Sequence, residues 1–532
     1  MHHLKAHHLK ARRQWRVPAA LLALAVVAAG VSATTASAAV RKDAATHALR
    51  ASKSAIPKVL TVAFGGAPET LDPNLAEITT DCDILHLIGG NIFNLTNGLP
   101  AAGLASSYVT SKNGLVITIG LRGNLKFSNG LPLTSADVAA TLIRDQNNKA
   151  NLFGGFLTPI TKIDTPNSRT VILHLSRPYP SLPTILAETE NMIVPARDLN
   201  PKAGTGVSGF FNLPVSAGPY KLQSWGGGPT VVMVRNPYYW GKAPVIPKVV
   251  FVTIPDYNAR IDQLRSGAVD MVNQIPPALI SAVKGTPGIS VEVSKYYGWI
   301  QLDMNDHATP LNNVNVRRAI SLAVNRQELT TDSLIGLVQP LAGFWPQTMF
   351  GYDPSISTAL NLQEAKRLLK GTACSHGCNI QMYFETDDMP YSPQSAVIIQ
   401  SNLAAIGIQL QLVEVENSAM GSDMSAGHYQ MALANTNDFA NIPDGLMLYG
   451  LQPAGGANNS GYNSPQMNQL ILEADEASGA RRLALLKDVD LLFVKDQPWV
   501  PLSGGLDVWL TRVPRSAAWL DDAAIVDVGG SF

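Results

Sequence analysis

Residues able to do covalent or metal chemistry are few in this chain, and most lack partners at a useful spacing. A nucleophilic serine in G-x-S-x-G and a zinc-type H-E-x-x-H pair are both absent. His47, His86, His174, His307, His376 and His428 show no ligand spacing. His2, His3, His7 and His8 cluster, but in a leading segment whose composition marks it for removal. Gly204-Thr-Gly206-Val-Ser-Gly209 fits G-x-G-x-x-G, yet no strand pattern precedes it and no helix pattern follows, so a surface loop is expected rather than a dinucleotide site. Cys374-Ser-His-Gly-Cys378 has two readings. A turn through Gly377 could bring the cysteines within the roughly 4.4–6.8 Å between Cα atoms that a disulfide needs. The alternative is a small metal site using His376, which would need a fourth ligand that is not nearby. A disulfide is expected, with Cys82 left as a buried free thiol. No enzyme activity, resident cofactor or metal is expected, which leaves binding as the chemistry to look for.

The elements that would position a binding site are numerous. The chain has 532 residues, enough for more than one core. Lys and Arg total 40 against 40 Asp and Glu, so no charge excess points to nucleic acid or an acidic membrane. Basic residues from Lys5 to Arg16, the apolar run from Pro18 to Gly30 and Ala36-Ser-Ala38 read as a secretory signal peptide with Ala39 as the mature start. No cysteine follows the apolar run to carry a lipid. Export to the periplasm or the outer face of the membrane or cell wall is therefore expected.

Val59 to Phe64 is apolar and β-branched, as a buried strand should be. Leu115, Ile117, Ile119 and Leu121 alternate with smaller residues as a second strand. Thr134-Ser-Ala-Asp137 is a capping box opening a helix. Tyr257 to Ser266 predicts a helix, Gly267 its stop, and the next residues a strand. Ile380 to Glu385, a helix over 400–406 and Gly407 to Val413 predict a β-α-β unit with a right-handed crossover. A strand is predicted over Tyr429 to Ala434, and Leu485, Leu486, Val489, Leu492 and Phe493 form one helical face. Gly218-Pro-Tyr220 and Arg235-Asn-Pro-Tyr-Tyr-Trp-Gly241 bracket two alternating runs joined by Gly226, Gly227 and Gly228, which predicts a hairpin.

These motifs, with Leu71-Asp-Pro73-Asn-Leu-Ala76, Leu104-Ala-Ser-Ser-Tyr108, Leu264-Arg-Ser-Gly-Ala-Val-Asp270, Val316-Arg-Arg-Ala319 and Asn459 to Pro465, occur in one order and spacing over residues 58–512. In this they resemble the extracellular solute-binding proteins of peptide/nickel-type ABC transporters, which include the oligopeptide- and dipeptide-binding proteins. The resemblance implies an α/β, two-lobed periplasmic-binding-protein-like fold of the three-subdomain type, with a ligand cleft between the lobes. The expected organisation is a signal peptide over 1–38, a flexible leader over 39–57, a first lobe over 58–98 and 213–297 with an extra subdomain over 99–212, a second lobe over 298–500, and a return to the first lobe over 501–532. It further implies peptide capture, delivery to membrane permease subunits, no nucleic acid partner and a monomer.

Residue by residue, the resemblance places Glu77 and Thr79 at the cleft, and Phe153 or Phe156 as a ligand-contacting aromatic. Asp438 takes the place of the acid that binds a free peptide amine, flanked by Asn437 and Phe439. The rival reading is a receptor of the same fold for a metal chelate or another small metabolite.

Overall fold

The glycine-centred hairpin forms in the computed structural model: Tyr220–Ser224 pairs antiparallel with Thr230–Arg235, and Gly227 takes the positive φ of +75° that the turn requires. The bracketing motifs lock together through Asn236. Its Nδ2 donates to Gly218 O at 2.9 Å, its backbone N–H donates to Pro219 O, and its Oδ1 accepts from Tyr238 N. The structure describes residues 57–513, 520–521 and 524–525, apart from 77, 97–98, 152–153, 207–208, 294–297, 348, 387, 438–442, 454, 456 and 507.

The hairpin forms one edge of a seven-stranded sheet, in the order Tyr220–Ser224, Thr230–Arg235, Lys248–Thr253, Val59–Phe64, Met271–Val272, Val508–Thr511, Ser290–Val293. Its centre is parallel, since Val59–Phe64 runs with both Lys248–Thr253 and Met271–Val272. The helix Tyr257–Ser266 makes the crossover. Asp256 caps its start by accepting from Ala259 N, and Gly267 at φ +78° stops it. Leu60, Val62, Phe64, Val249 and Phe251 are buried beneath the helix Thr79–Ile88 side of the sheet's core.

A second sheet has five strands, in the order Ile408–Glu414, Cys378–Phe384, Met431–Asn437, Gly298–Met304, Trp499–Gly504. The β-α-β unit is present, with Cys378–Phe384 parallel to Ile408–Glu414. Its helix is Ser392–Ala404, longer than the 400–406 expected, because Pro393 fits the first turn and starts it early. The strand expected to end at Ala434 continues to Asn437. Pairing with Gly298–Met304 extends to Gly298 opposite Asn437, and this ladder overrides the weak strand propensity of Asn435 and Asn437. The strand Trp499–Gly504 also belongs to this sheet, so the chain leaves it after 504 rather than at 500.

A four-stranded antiparallel sheet, Ala105–Thr110, Val116–Leu121, Thr170–Leu175 and Ile160–Asn167, forms the centre of a further body with its own core. Ser135–Asn147 covers it, and the capping box of Thr134 and Asp137 is formed. Cys374 and Cys378 are joined, with Cα atoms 4.8 Å apart. Cys82 is free and half-buried rather than fully enclosed, packed against the margin of the first-lobe core. Among the described residues no helix is long and apolar enough to cross a membrane.

Candidate ligand-binding cleft

The chain passes between the large sheets twice: from Ser290–Val293 to Gly298–Met304, and from Trp499–Gly504 to Val508–Thr511. In open α/β sheets, loops at the carboxyl ends of parallel strands form the crevice. Here both sheets follow that rule. Asn273 and Gln274 come directly after the strand Met271–Val272, and Asp388 lies in the loop after Cys378–Phe384. With Asn435 of Met431–Asn437 and Leu506 of the second connection, they line a small cleft between the two sheets.

The first-lobe wall is held by Arg260. Its Nη1 donates to Ile254 O at 2.6 Å and its Nη2 to Gln274 O at 2.8 Å, which ties the ends of two strands together. Burial lowers the guanidinium to about 10, so it remains charged at neutral pH. Gln274 sits at φ +52°, a conformation that non-glycine residues seldom adopt. Two further contacts hold it there: Gly65 N donates to its Oε1 at 3.1 Å, and its own Nε2 donates to Asp388 Oδ1 at 2.6 Å. Gly65 must be small, because a Cβ there would come within 2.8 Å of Arg260 Nη1 and 3.0 Å of Gln274 Oε1.

Across the cleft, Asp388 Oδ2 accepts from Asn435 Nδ2 at 3.4 Å, and Asp388 N donates to Glu385 Oε2 at 2.9 Å. Tyr257 OH donates to Thr386 O at 2.9 Å, a second bond between the lobes beside the first. Burial, and then the charges of Asp388 and Glu385, push the Tyr391 phenol well above its usual range, so it stays neutral. Asn273 is fully buried, and neither its Oδ1 nor its Nδ2 has a hydrogen-bond partner. A buried amide left in this way costs about 1–3 kcal/mol.

The lobes also meet through the four-stranded body. Arg177 Nη2 donates to Asp475 Oδ2 at 3.0 Å. Ser181 Oγ and Arg482 Nη2 both donate to Asp444 Oδ2. Asp475 is buried beside Asp444, and the two effects push its carboxyl well above the ordinary range. Leu448 and Tyr449, on the helix Pro443–Gly450, pack against the core of the four-stranded body. The lobes are thus in contact at both places.

Of the residues expected at the ligand, Glu77, Phe153, Asp438 and Phe439 lie outside the described residues. Thr79 begins the helix Thr79–Ile88, and Asn437 ends its strand one residue before Asp438. Phe156 lies in the turn Gly154–Leu157, 6% exposed within the core of the four-stranded body. The reading of motifs passed over Asn273, Gln274, Asp388 and Asn435. The signal that could have found them is position: each lies at or just beyond the carboxyl end of a strand in an α/β sheet. Among the described residues, no group of three or more His, Cys, Asp or Glu could hold a metal.

Comparison with known proteins agrees with this architecture. The family described as bacterial extracellular solute-binding proteins, family 5 Middle, matches residues 100–458. The chain is 28% identical over 437 residues to the probable D,D-dipeptide-binding periplasmic protein DdpA of Escherichia coli, covering 79% of this chain and 83% of that one. Among solved structures, the ABC transporter-associated periplasmic binding protein DppA from Helicobacter pylori, in complex with the peptide STSA, superposes with a TM-score of 0.79 at 24% identity, covering 88% of this chain and 96% of that one. The periplasmic binding protein AgaA of A. tumefaciens, in complex with agropinic acid, gives a TM-score of 0.77 at 26% identity, covering 85% of this chain and 93% of that one. With its two α/β lobes and the cleft at their strand ends, this chain belongs to the bacterial extracellular solute-binding proteins of family 5, the solute-binding components of peptide/nickel-type ABC transporters.

Proposed function

We propose that this protein captures peptides in the cleft between its lobes and delivers them to the permease subunits of an ABC importer. The observation that carries the reading is the cleft itself. It is closed by bonds from Gln274 and Tyr257 in one lobe to Asp388 and Thr386 in the other, and it holds a buried Asn273 amide whose donor and acceptor are both unmet. A peptide group offers a carbonyl and an N–H, which match such an amide. Ligand binding would favour this closed form by the difference in its affinity for the two states. No covalent step is involved. Resemblance to peptide-binding relatives supports Asp438 as the acceptor for a peptide amine, with Asn437, Phe439, Glu77, Thr79 and Phe153 or Phe156 around the ligand. It also supports the expected signal peptide and a monomeric receptor, with domain limits as read from the sequence except that the second lobe runs to 504.

One observation favours a second reading, a non-peptide ligand: the structural neighbour AgaA, at 26% identity, holds agropinic acid. Native mass spectrometry of the mature protein, secreted and never unfolded, separates the two. Peptide capture predicts a heterogeneous added mass of peptide size, lost in Asp438→Ala. A single discrete added mass that contains no amino acids would replace peptide capture by the second reading.

A further inference from the structure

We propose that Asp444 and Asp475 form a proton-operated latch between the lobes: their contact with the four-stranded body closes by taking up one proton from solvent, so that capture strengthens as the pH falls. This rests on the capture function above and adds its regulation. The two acids come from separate helices of the second lobe, Asp444 from Pro443–Gly450 and Asp475 from Pro465–Glu476, and both are buried. Their side chains hydrogen-bond to each other. A carboxylate only accepts, so two of them can bond only through a proton. No donor among the described residues reaches Asp444 Oδ1 or Asp475 Oδ1, which leaves these two oxygens for the shared proton.

The groups that cover the pair come mainly from the other lobe. From the loop after the strand Thr170–Leu175, Arg177 Nη2 donates to Asp475 Oδ2 at 3.0 Å and Ser181 Oγ donates to Asp444 Oδ2. Arg177 also lies over the Tyr179 ring, whose hydroxyl is buried without a partner. Burial, and then the charges of Asp475 and Asp444, push that phenol well above its usual range, so it stays neutral. From the helix Gly479–Asp496, Arg482 donates to Asp444 Oδ2 and, through Nη1, to Ala474 O. Arg177 favours an ionised Asp475, but burial and Asp444 act on it more strongly in the opposite sense. When the lobes part, Arg177, Tyr179 and Ser181 leave with the four-stranded body, water reaches the pair, and Asp475 ionises as an ordinary carboxyl. Closing restores the proton. The advantage of the closed contact is therefore complete below the ordinary carboxylate range and is lost as pH rises through the raised value.

Small-angle X-ray scattering of the mature protein at pH 5.5 and pH 7.5, wild type and Asp475→Asn, reads the separation of the lobes without any ligand. Asparagine imitates the protonated acid, since its oxygen accepts from Arg177 and its amide donates to Asp444 at every pH. Melting curves show that the variant folds; if it does not, Asp444→Asn places the same neutral group on the partner acid and takes its place. The expected result is a smaller radius of gyration for the wild type at pH 5.5 than at pH 7.5, and a variant as compact at pH 7.5 as the wild type is at pH 5.5. Calorimetric titration with tri-alanine should follow the same course: wild-type affinity at least about threefold weaker at pH 7.5, and the variant's affinity unchanged. Identical wild-type scattering at the two pH values overturns the latch. A change with pH that the variant shows in full overturns it as well, because another group would then be responsible. Failure of tri-alanine to bind at either pH counts against peptide capture alone, since the scattering still decides the latch.

Discussion

At Asn273, function and stability pull in opposite directions. Its amide is buried without partners, and the unfolded chain would hydrate both atoms. Replacing it by leucine, with the same number and branching of side-chain heavy atoms but no polar ones, removes that cost. Asn273→Leu should therefore raise the stability of the ligand-free protein by about 1 kcal/mol, while ligand affinity falls at least tenfold. Urea unfolding and titration on the same sample check both halves. A variant that loses stability and keeps affinity would show that the amide is structural. Gln274 is the neighbouring case. Its strained φ of +52° persists because three contacts hold it, to Gly65, Arg260 and Asp388. One of these crosses to the other lobe, so residue-level strain is coupled to closure.

The hairpin is the element whose chemistry is most exposed to a single change. Gly218 N donates to Ile88 O at 3.0 Å, and Gly218 O accepts from Asn236, so both ends of the hairpin lean on the helix Thr79–Ile88 at that point. A Cβ on Gly218 would lie 2.1 Å from Gly89 O and 2.6 Å from Ile88 C, which are backbone atoms that cannot step aside. Gly218→Ala is expected to destabilise the protein by about 1–3 kcal/mol, the range of overpacked core substitutions. Gly226→Ala in the turn, where a Cβ meets nothing within 4 Å, should cost far less. Equal melting temperatures for the two variants would refute this account of the motif.

Across the whole molecule, buried acids set the response to pH. Burial is the leading cause that pushes Asp81, Asp145, Asp303, Asp306 and Asp490 up to about 7, from an ordinary 3.8. Asp475, at the contact between the lobes, is raised as well. For a group whose folded value is raised, the native state holds a proton that the unfolded chain has released. Stability from these acids is complete below about 4 and is lost as pH rises through 7. His86 works the other way: burial lowers it to about 4 from 6.5, so its contribution falls as pH drops between those values. The acids outnumber it. The melting temperature should therefore fall from pH 5 to pH 8 at constant ionic strength, as read by calorimetry. A flat or rising profile would mean that these carboxylates are ionised in the native state without penalty.

Sequence alone determined the elements and their order. The alternation of Val59 to Phe64, the capping box at Thr134, the stop at Gly267 and the apolar face from Leu485 to Phe493 are local patterns, and local backbone and burial preferences act on them directly. The family followed from the motifs because their spacing survives where general composition says little. The cleft's polar lining was not legible. Gln274 and Asp388 stand 114 residues apart, in loops without a motif, and they meet only because strands distant in the chain are packed together. The length of the strand before Asp438 was likewise a tertiary decision, since the partner strand Gly298–Met304 supplied the hydrogen bonds that Asn435 to Asn437 would not have found alone. Tertiary structure decided which polar groups face each other across the cleft, because hydrogen-bond partners and solvent exclusion exist only once distant strand ends have been packed together.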